Sequence, residues 1–510
     1  MKRRAIILFL LACCFPTLAC NIPVGPEPAV EDSVESTLAA LRLHTAQVTQ
    51  PAQTLSPAPT PTLNPELATA LPTIPLISTS ELVGSEFRYY TRPGDTPEAL
   101  ELRFGIEPGT LFDPEEHPSQ AMLAPGMVLK IPNLLGPVEI LPMLLPDSEV
   151  IYSPAASGFS TAEMIRSAGG FLSTYSEVVD GETLSGAQIV ERVALETSIN
   201  PRLLLAFLEY RSGWVTGQPA NPGQNDYPIG FYAGDYRGLY KELILTARQL
   251  TIGYYGWRSG KTVELEFVGG SRLRLDPLVN PGTVALQFLF SKLYNPANWK
   301  AELYSPGRFI NFYGEMFPDP WPRAAAVEPM LPYGLAQPPL ELPFQPGETW
   351  SLTGGPHAAW GVGSPWGGID FAPAAVEKGC TVSRYWATAA AGGLVTRSER
   401  GVVVIDLDGD GIEGSGWVLV YLHIASSERI SSGTIVQRDE RIGHPSCEGG
   451  FSTGTHLHLS RKYNGEWMSA GGSVPFVLSG WQAWLGELPY SGTLTRGDDI
   501  VTARPDGSHT

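Results

Sequence analysis

The segment from Gly450 to Ser460, which reads Gly-Phe-Ser-Thr-Gly-Thr-His-Leu-His-Leu-Ser, limits the local fold most strongly. Alternate side chains of a β-strand leave on the same face, so His456 and His458 point one way while Leu457 packs behind them. The chain has only eight histidines in 510 residues. Two on one strand face indicate a metal site, and the alternative is a coincidental pair on a solvated strand.

Further residues of the same chemistry precede this strand. His357 ends the run Gly354-Gly355-Pro356-His357, and Asp370 follows thirteen residues later inside Gly-Gly-Ile-Asp-Phe. His423 ends an apolar stretch that begins at Trp417 and predicts a strand. A hydrolytic zinc site uses three protein ligands and an open position, and it also needs a base and a donor for the developing oxyanion. These four histidines and one aspartate meet that need if three of them bind the metal and the other two serve as the base and the donor.

On these residues, the region from about 345 to 480 resembles the lysostaphin-type zinc metallopeptidases, which cut peptides of the bacterial cell wall. It resembles above all the beta-lytic and staphylolysin branch, whose first histidine lies far ahead of the aspartate in a Gly-Gly-x-His segment. The shorter His-x-x-x-Asp pattern is absent, because Trp366 stands four residues before the aspartate. The resemblance implies an antiparallel all-β peptidase domain at 347–485 that binds Zn²⁺.

The resemblance also implies a role for each residue. It implies the zinc ligands His357, Asp370 and His458. It implies two catalytic histidines that do not bind the metal, His423 and His456. His456 is then the expected general base or water-orienting group, and His423 the expected oxyanion stabiliser.

The N-terminus predicts export. A basic start at Lys2-Arg3-Arg4 precedes an apolar run and the sequence Thr17-Leu18-Ala19-Cys20, typical of a signal peptide that is too short to span a membrane stably. Residues 1–19 resemble a bacterial lipoprotein signal, which implies lipidation of Cys20. An ordinary secretory cleavage nearby is the alternative. We expect the protein on the outer side of the cytoplasmic membrane, attached by lipid, or secreted to the wall.

Charge and cysteine usage agree with an extracellular protein. The formal net charge of -18 argues against nucleic acid as a partner. Cys13 and Cys14 leave with the signal and Cys20 takes lipid, so Cys380 and Cys447 remain as one pair, for which an oxidising exterior predicts a disulfide. Residues 20–85 are rich in Pro, Thr, Ala and Ser, a composition that cannot bury a core and predicts an extended tether.

Residues 86–134 differ from the tether. They contain Tyr90-Thr91-x-Pro93-Gly94-Asp95-Thr96, Arg103-Phe104-Gly105 and Pro125-Gly126-x-Val128-Leu129-x-Ile131-Pro132. These motifs resemble a LysM module, which implies a βααβ fold that binds glycans containing N-acetylglucosamine. The alternative is a LysM fold retained as a spacer.

Residues 150–330 predict a mainly α-helical domain. The runs Asn200-Pro201-Arg202-Leu203-Leu204 and Tyr210-Arg211-Ser212-Gly213 resemble the start of a lysozyme-like transglycosylase domain. That family has its catalytic glutamate where Arg211 stands here, and an arginine cannot donate a proton at working pH. We therefore expect a non-catalytic relative, for example a glycan-binding spacer.

The remaining segments are short. Residues 331–346 predict a Pro-rich linker, and 486–510 a C-terminal tail. The run from Asp406 to Gly411 imitates the start of a calcium loop, but Trp417 stands where a twelfth-position glutamate is needed. An acidic hairpin turn is the favoured interpretation.

Taken together, the sequence predicts a multidomain zinc metalloendopeptidase that hydrolyses peptide crosslinks of bacterial peptidoglycan. The alternative hypothesis is a non-catalytic wall-binding protein that activates another peptidoglycan hydrolase. A third hypothesis, glycan cleavage through residues 187–300, is disfavoured by Arg211.

Overall fold

The computed structural model describes residues 80–374 and 379–504. The predicted signal peptide, the lipidation site Cys20 and the tether up to residue 79 lie outside these ranges. Within the described ranges, no helix combines the length and apolarity that a membrane crossing demands.

The N-terminal module is a three-stranded antiparallel sheet with one helix. Its elements are β1 (Glu81–Val83), β2 (Glu86–Tyr90), α1 (Pro97–Phe104) and β3 (Val128–Pro132). Thr96 caps α1 with its side chain, and Gly105 ends the helix in the left-handed conformation. The core contains Phe87, Leu100 and Phe104, all fully buried.

The predicted second helix of this module is wrong. The chain between α1 and β3 forms turns instead, and none of its residues is helical. Pro108, Pro114 and Pro118 interrupt this segment, and each removes a backbone donor that a helix interior would require. The strand β1 extends the sheet on its other side. It lies within residues 20–85, which were predicted to be tether, so the module begins earlier than predicted.

The region that follows is mainly helical, as predicted. Its helices are α2 (Asp147–Val150), α3 (Thr161–Ala168), α4 (Gly186–Thr197), α5 (Pro201–Ser212), α6 (Pro222–Asp226), α7 (Leu239–Arg258), α8 (Pro281–Ser291), α9 (Pro296–Tyr304), α10 (Phe309–Met316) and α11 (Pro320–Ala325). Two hairpins join them, β4 (Ser176–Val179) with β5 (Glu182–Ser185) and β6 (Glu264–Glu266) with β7 (Arg272–Arg274). Asn200 caps α5 with its side chain, and Pro201 takes the first helical position.

The C-terminal region is built on a large antiparallel sheet. Its strands are β8 (Ser351–Ala358), β9 (Trp366–Ala372), β10 (Ala387–Thr388), β11 (Gly393–Glu399), β12 (Val402–Asp406), β13 (Trp417–Leu422), β14 (Ile435–Val436), β15 (Arg441–Gly443), β16 (Leu457–Tyr463), β17 (Glu466–Trp467), β18 (Val477–Leu478), β19 (Trp481–Leu485), β20 (Gly492–Arg496) and β21 (Asp499–Thr502). In the large sheet the order is β14-β11-β12-β13-β16-β9-β8, and β17 pairs with β16.

The end of the chain is not the tail that the sequence predicted. Strands β18 to β21 form a second antiparallel sheet, in which Ala483 pairs with Leu494 and Leu494 with Val501. Ala483 and Leu494 are buried in the core of the C-terminal region. The alternation of Leu494 with polar Thr493 and Thr495 is that of a half-buried strand, a signal that the tail assignment missed.

The Pro-rich segment 331–346 is held against the C-terminal sheet. The backbone N–H of Glu341 donates to the carbonyl of Ala390 at 2.8 Å, and Phe344 forms an isolated bridge with Ala387. Its prolines suit such an edge position, because an edge strand does not need every backbone donor. The segment therefore connects two domains without separating them.

The helical region and the large sheet share one hydrophobic core. Val404, Val420 and Trp467 belong to the same buried cluster as Tyr254 and Tyr255 of α7. The backbone N–H of Trp467 donates to the Tyr255 hydroxyl at 2.9 Å. Because His458, Val420 and Val404 project from the same face of the sheet, the helical region packs on the face that carries the histidines.

A buried charge cluster lies at this junction. Arg258 Nη2 is 2.7 Å from Glu466 Oε1 and 3.2 Å from Asp147 Oδ2. Glu328 Oε1 accepts hydrogen bonds from the backbone N–H and the hydroxyl of Ser148, each at 2.9 Å. Burial, reinforced by the charge of Asp147, raises the pKa of Glu328 to about 7.

We expect Glu328→Gln to stabilise the protein above pH 7. The folded state holds the Glu328 proton more tightly than the unfolded chain, so the free energy of unfolding falls as pH rises from the usual pKa of 4.5 to about 7. This shift in the pKa of Glu328 corresponds to a change of at most about 3 kcal/mol in the free energy of unfolding. The glutamine keeps the acceptor for Ser148 and should abolish this slope in denaturant unfolding measured across pH. The exposed Glu163→Gln is the control, and an unchanged slope in Glu328→Gln contradicts the prediction.

Candidate active site

Three potential metal ligands from three adjacent strands converge in the described structure. His357 lies on β8, Asp370 on β9 and His458 on β16, and all three are almost fully buried. His458 Nδ1 is 3.0 Å from both His357 Nε2 and Asp370 Oδ1, and the third side of this triangle is 3.3 Å. Ligands of a tetrahedral zinc ion are about 3.3 Å apart, given bonds of about 2.0 Å.

The hydrogen bonds behind these atoms determine where the ring protons lie. His357 Nδ1 is 2.8 Å from the carbonyl of Gly355, and His458 Nε2 is 3.0 Å from the carbonyl of Ala359. A carbonyl only accepts, so each of these nitrogens carries the proton. His357 Nε2 and His458 Nδ1 therefore turn lone pairs toward each other and toward the Asp370 carboxylate. Such an arrangement suits a cation.

Two glycines make room for this triangle. A side chain at Gly354 would meet Asp370 Oδ2 at 2.4 Å, and one at Gly368 would meet His458 Cε1 at 2.1 Å. Both separations are far below van der Waals contact, so the Gly-rich runs around the first histidine and the aspartate allow the ligands to approach.

The electrostatics agree with an ionised aspartate. Burial alone would raise the pKa of Asp370, but the close imidazoles of His357 and His458 outweigh burial and hold this pKa well below its usual range. Burial lowers the pKa of His458. Burial also opposes protonation of His357, whereas Asp370 favours it, and the net pKa of His357 is raised.

The two other predicted histidines lie beside the triangle. The rings of His423 and His456 are 4.4 Å apart between centroids, and His456 Nε2 is 3.8 Å from Asp370 Oδ2. His423 Nδ1 lies 2.9 Å from the carbonyl of Glu448, and His456 Nδ1 lies 2.8 Å from that of Gly454. Each Nδ1 therefore donates, and each Nε2 is left with a lone pair.

The ring of His423 is neutral in its resting state. Burial, aided by the neighbouring His456, lowers the pKa of His423 to about 4, so the ring is neutral at pH 7. Its backbone has a φ of 67°, a left-handed conformation that is uncommon for a residue other than glycine and that recurs at functional sites. The resemblance implied an oxyanion donor here, and a neutral ring must first gain a proton to fill that role.

The predicted disulfide is present. Cys380 and Cys447 are bonded, with their Cα atoms 5.6 Å apart. The bond lies next to the segment that leads to His456.

Tyr490 was not among the predicted site residues, but it lies against one of the metal-site histidines. Its ring stacks on His357 with centroids 4.0 Å apart, and its backbone carbonyl accepts from the N–H of Gly355 at 2.9 Å. It is about half exposed and has a φ of 68°. Tyr490 falls in the segment assigned to the tail, and one aromatic residue there gave no signal of its place over a histidine.

A second group of potential ligands occurs in the acidic hairpin loop between β12 and β13. Carboxylate oxygens of Asp406, Asp408 and Asp410 lie within 4.8 Å of one another. Asp406 Oδ2 accepts from the N–H of Gly411 at 2.8 Å, and Asp410 Oδ1 from that of Ile412 at 2.7 Å. These bonds shape the loop as a turn, and calcium binding there stays an untested possibility of the sequence.

In the helical region, the carboxylates near Arg211 are bonded to backbone groups. Glu209 accepts from the N–H groups of Val215 and Thr216, and Glu242 from those of residues 229–231. Arg211 Nε donates to the carbonyl of Ile229 at 2.8 Å. These carboxylates therefore have structural roles in the described fold.

Comparisons with known proteins found one matching family model and several similar proteins. The family model for the LasA N-terminal domain matches residues 143–330. Protease LasA of Pseudomonas aeruginosa is 27% identical over 295 residues, a match that covers 54% of this chain and 66% of that protein. The chain thus spans just under two thirds of this relative's length.

Two further similarities concern a smaller part of the chain. The beta-lytic metalloendopeptidase of Achromobacter lyticus is 30% identical over 169 residues, which is 32% of this chain and 40% of that protein. Among solved structures, the M23 metalloprotease pseudoalterin from the deep sea is 26% identical, with a TM-score of 0.28, and the match covers 32% of this chain and 94% of that structure.

Proposed function

We propose that the protein is a zinc metalloendopeptidase that hydrolyses peptide crosslinks of bacterial peptidoglycan. One observation carries the proposal. Two histidine lone pairs and a carboxylate oxygen converge at 3.0–3.3 Å, with both imidazole protons directed away to carbonyls. Without a cation this cluster is electrostatically unfavourable, and with a divalent ion it is a three-ligand site of the kind that hydrolytic zinc enzymes use.

The metal in this proposal is Zn²⁺, held by His357, Asp370 and His458. Two imidazoles and one carboxylate suit zinc better than the harder cations, which prefer oxygen ligands. When bound, Zn²⁺ supplies Lewis-acid polarisation of the scissile carbonyl and makes water more acidic.

The two remaining histidines handle protons in this proposal. His456 Nε2 accepts a proton from the attacking water, whose oxygen bonds to the carbonyl carbon as the carbon–oxygen π bond opens. The ring of His423 lies 4.4 Å from that of His456 between centroids. His423 takes up this same proton from His456, donates a hydrogen bond to the charged carbonyl oxygen, and then gives the proton to the departing amine as the carbon–nitrogen bond breaks. The carbonyl acceptors of Glu448 and Gly454 keep both Nε2 atoms directed at the reaction.

The substrate class rests on similarity together with the modular organisation. The relatives are described as a protease and as a metalloendopeptidase, which favours a peptide substrate. The LysM-like motifs of the N-terminal module favour a wall that contains N-acetylglucosamine. We infer a position outside the cytoplasmic membrane, with a lipid on Cys20 as the attachment.

The LysM-like module would act as part of the same body. Arg103 of α1 donates to the carbonyl of Trp257 at 3.0 and 2.9 Å, while its Nη1 pairs with Asp95 at 2.8 Å. Arg274 donates to the carbonyls of Leu102 and Arg103. Glycan bound to the module would therefore be held at a defined place relative to the helical region, which we propose is a non-catalytic support.

Cell-wall digestion tests the proposal. Purified full-length protein is incubated with peptidoglycan sacculi of several crosslink types, with and without a chelator, and new amino groups and reducing ends are measured separately. We expect new amino groups that disappear with the chelator and return when zinc is added back. The full chain is needed because the catalytic sheet shares its core with the helical region.

The alternatives give different results. Reducing ends without new amino groups would contradict the proposal and favour glycan cleavage. Stoichiometric zinc binding without cleavage of any wall would favour the role of a non-catalytic activator.

A further inference from the structure

The segment around Cys447 contacts both histidines that lie outside the metal triangle. The Ser446 backbone N–H donates to the carbonyl of His423 at 2.7 Å, and the Ser446 carbonyl accepts from the N–H of His456 at 3.4 Å. On the other side of Cys447, the Glu448 carbonyl accepts from His423 Nδ1 at 2.9 Å. The two neighbours of Cys447 thus hold the backbone of His456 and both the backbone and the ring of His423.

The segment around Cys380 holds the approach to His456. The Gly379 carbonyl accepts from the N–H of Thr455 at 3.1 Å, and the N–H of Thr381 donates to the Thr455 hydroxyl at 2.9 Å. Thr455 immediately precedes His456, whose ring is oriented by the carbonyl of Gly454. Both neighbours of Cys380 therefore bind the residue next to the histidine.

The metal triangle depends on a different set of contacts. Asp370 pairs with His458 across β9 and β16, and His357 pairs with Gly368 across β8 and β9. The second ring nitrogens of His357 and His458 donate to the carbonyls of Gly355 and Ala359, at the same edge of the sheet. These strands lie within the antiparallel ladder, whereas Cys380 lies in the connection between β9 and β10 and Cys447 in the connection between β15 and β16.

We propose that the Cys380–Cys447 disulfide is a positioning element for His423 and His456, and that its reduction disorganises this pair while the metal triangle stays intact. The bond ties the segment that orients His423 to the segment that precedes His456. Its catalytic consequence rests on the proposed peptidase function, whereas its structural consequence does not.

The disulfide is accessible to a reductant, since Cys380 is exposed and Cys447 partly so. A dithiol of the medium supplies two electrons and two protons. The sulfur–sulfur bond breaks, two cysteine thiols form, and the dithiol closes to its own disulfide. Reoxidation reverses the step, so the effect on the histidine pair is expected to be reversible.

Hydrogen exchange and zinc content test the structural part. The zinc-loaded full-length protein is reduced with a phosphine, desalted and compared with the oxidised protein by mass spectrometry. We expect peptides covering 444–456 to lose protection, peptides covering 457–463 to keep it, and zinc to stay at one per chain. Unchanged protection at 444–456 overturns the proposal, as does loss of zinc together with protection at 457–463.

Kinetics test the catalytic part. Reduction should lower kcat about 10- to 100-fold, the range typical when groups that orient catalytic residues are lost, with KM unchanged. Reoxidation should restore kcat, and the Cys380→Ser/Cys447→Ser variant should match the reduced protein and ignore the reductant. An unaltered kcat after complete reduction overturns the proposal. If the variant does not fold, reduction of the folded protein still decides the question.

A failure of the peptidase function is distinguishable. If the oxidised protein cleaves no wall, the proposed peptidase function is wrong and no kcat can be compared. Hydrogen exchange at 444–456 and zinc retention then still report whether the disulfide positions the two histidines.

Discussion

Replacing His458 with alanine is expected to abolish hydrolysis and to remove the bound zinc. His458 Nδ1 lies 3.0 Å from each of the other two metal-ligand atoms, His357 Nε2 and Asp370 Oδ1. Its removal therefore leaves only two of the three ligands. Lewis-acid stabilisation is worth several kcal/mol, so the loss of activity should reach about 10³-fold or more. Zinc content by atomic spectroscopy and release of amino groups from peptidoglycan are the two measurements.

The matched control for this prediction is His117→Ala. His117 lies between α1 and β3 of the N-terminal module, where its ring packs against Phe112. This variant should keep zinc and activity. A His458→Ala protein that retained one zinc per chain would show that the triangle is not the metal site.

Replacing His423 with alanine is expected to give the opposite pattern, a zinc-loaded protein with little activity. His423 contributes no atom to the triangle, but its ring lies 4.4 Å from that of His456 between centroids. General acid–base groups contribute typically 10²- to 10⁴-fold, and kcat should fall by about that factor. Zinc titration together with steady-state kinetics separates this outcome from loss of the metal.

An exposed side chain of the same region provides the comparison. Glu428 has a positive φ in the loop after β13, is largely exposed and lies near His444. Glu428→Gln should leave both zinc content and kcat unchanged. Equal losses of zinc and activity in His423→Ala would place His423 among the metal ligands and contradict its assignment to proton transfer.

Much of the architecture followed from local rules. The apolar run that begins at Trp417 correctly located β13, and the alternation around Leu457 correctly placed His458 on a strand, because these signals act within a few residues. The prediction of a second helix in the N-terminal module was wrong because it followed the family pattern, although three prolines in the segment disfavour a helix. The tail failed because β20 and β21 are short strands whose stability comes from pairing and from burial of Leu494.

Residue chemistry and spacing in the sequence determined which side chains could form a site, since few histidines exist and alternation places two of them on one face. Only the tertiary structure decided how they are used. The carbonyls of Gly355, Ala359, Glu448 and Gly454 orient the four rings. Every residue has a backbone carbonyl, so the sequence alone does not show which ones will contact a ring. Likewise, only folding brought Tyr490 onto His357 and joined the helical region to the sheet, because contacts between residues distant in sequence depend on packing.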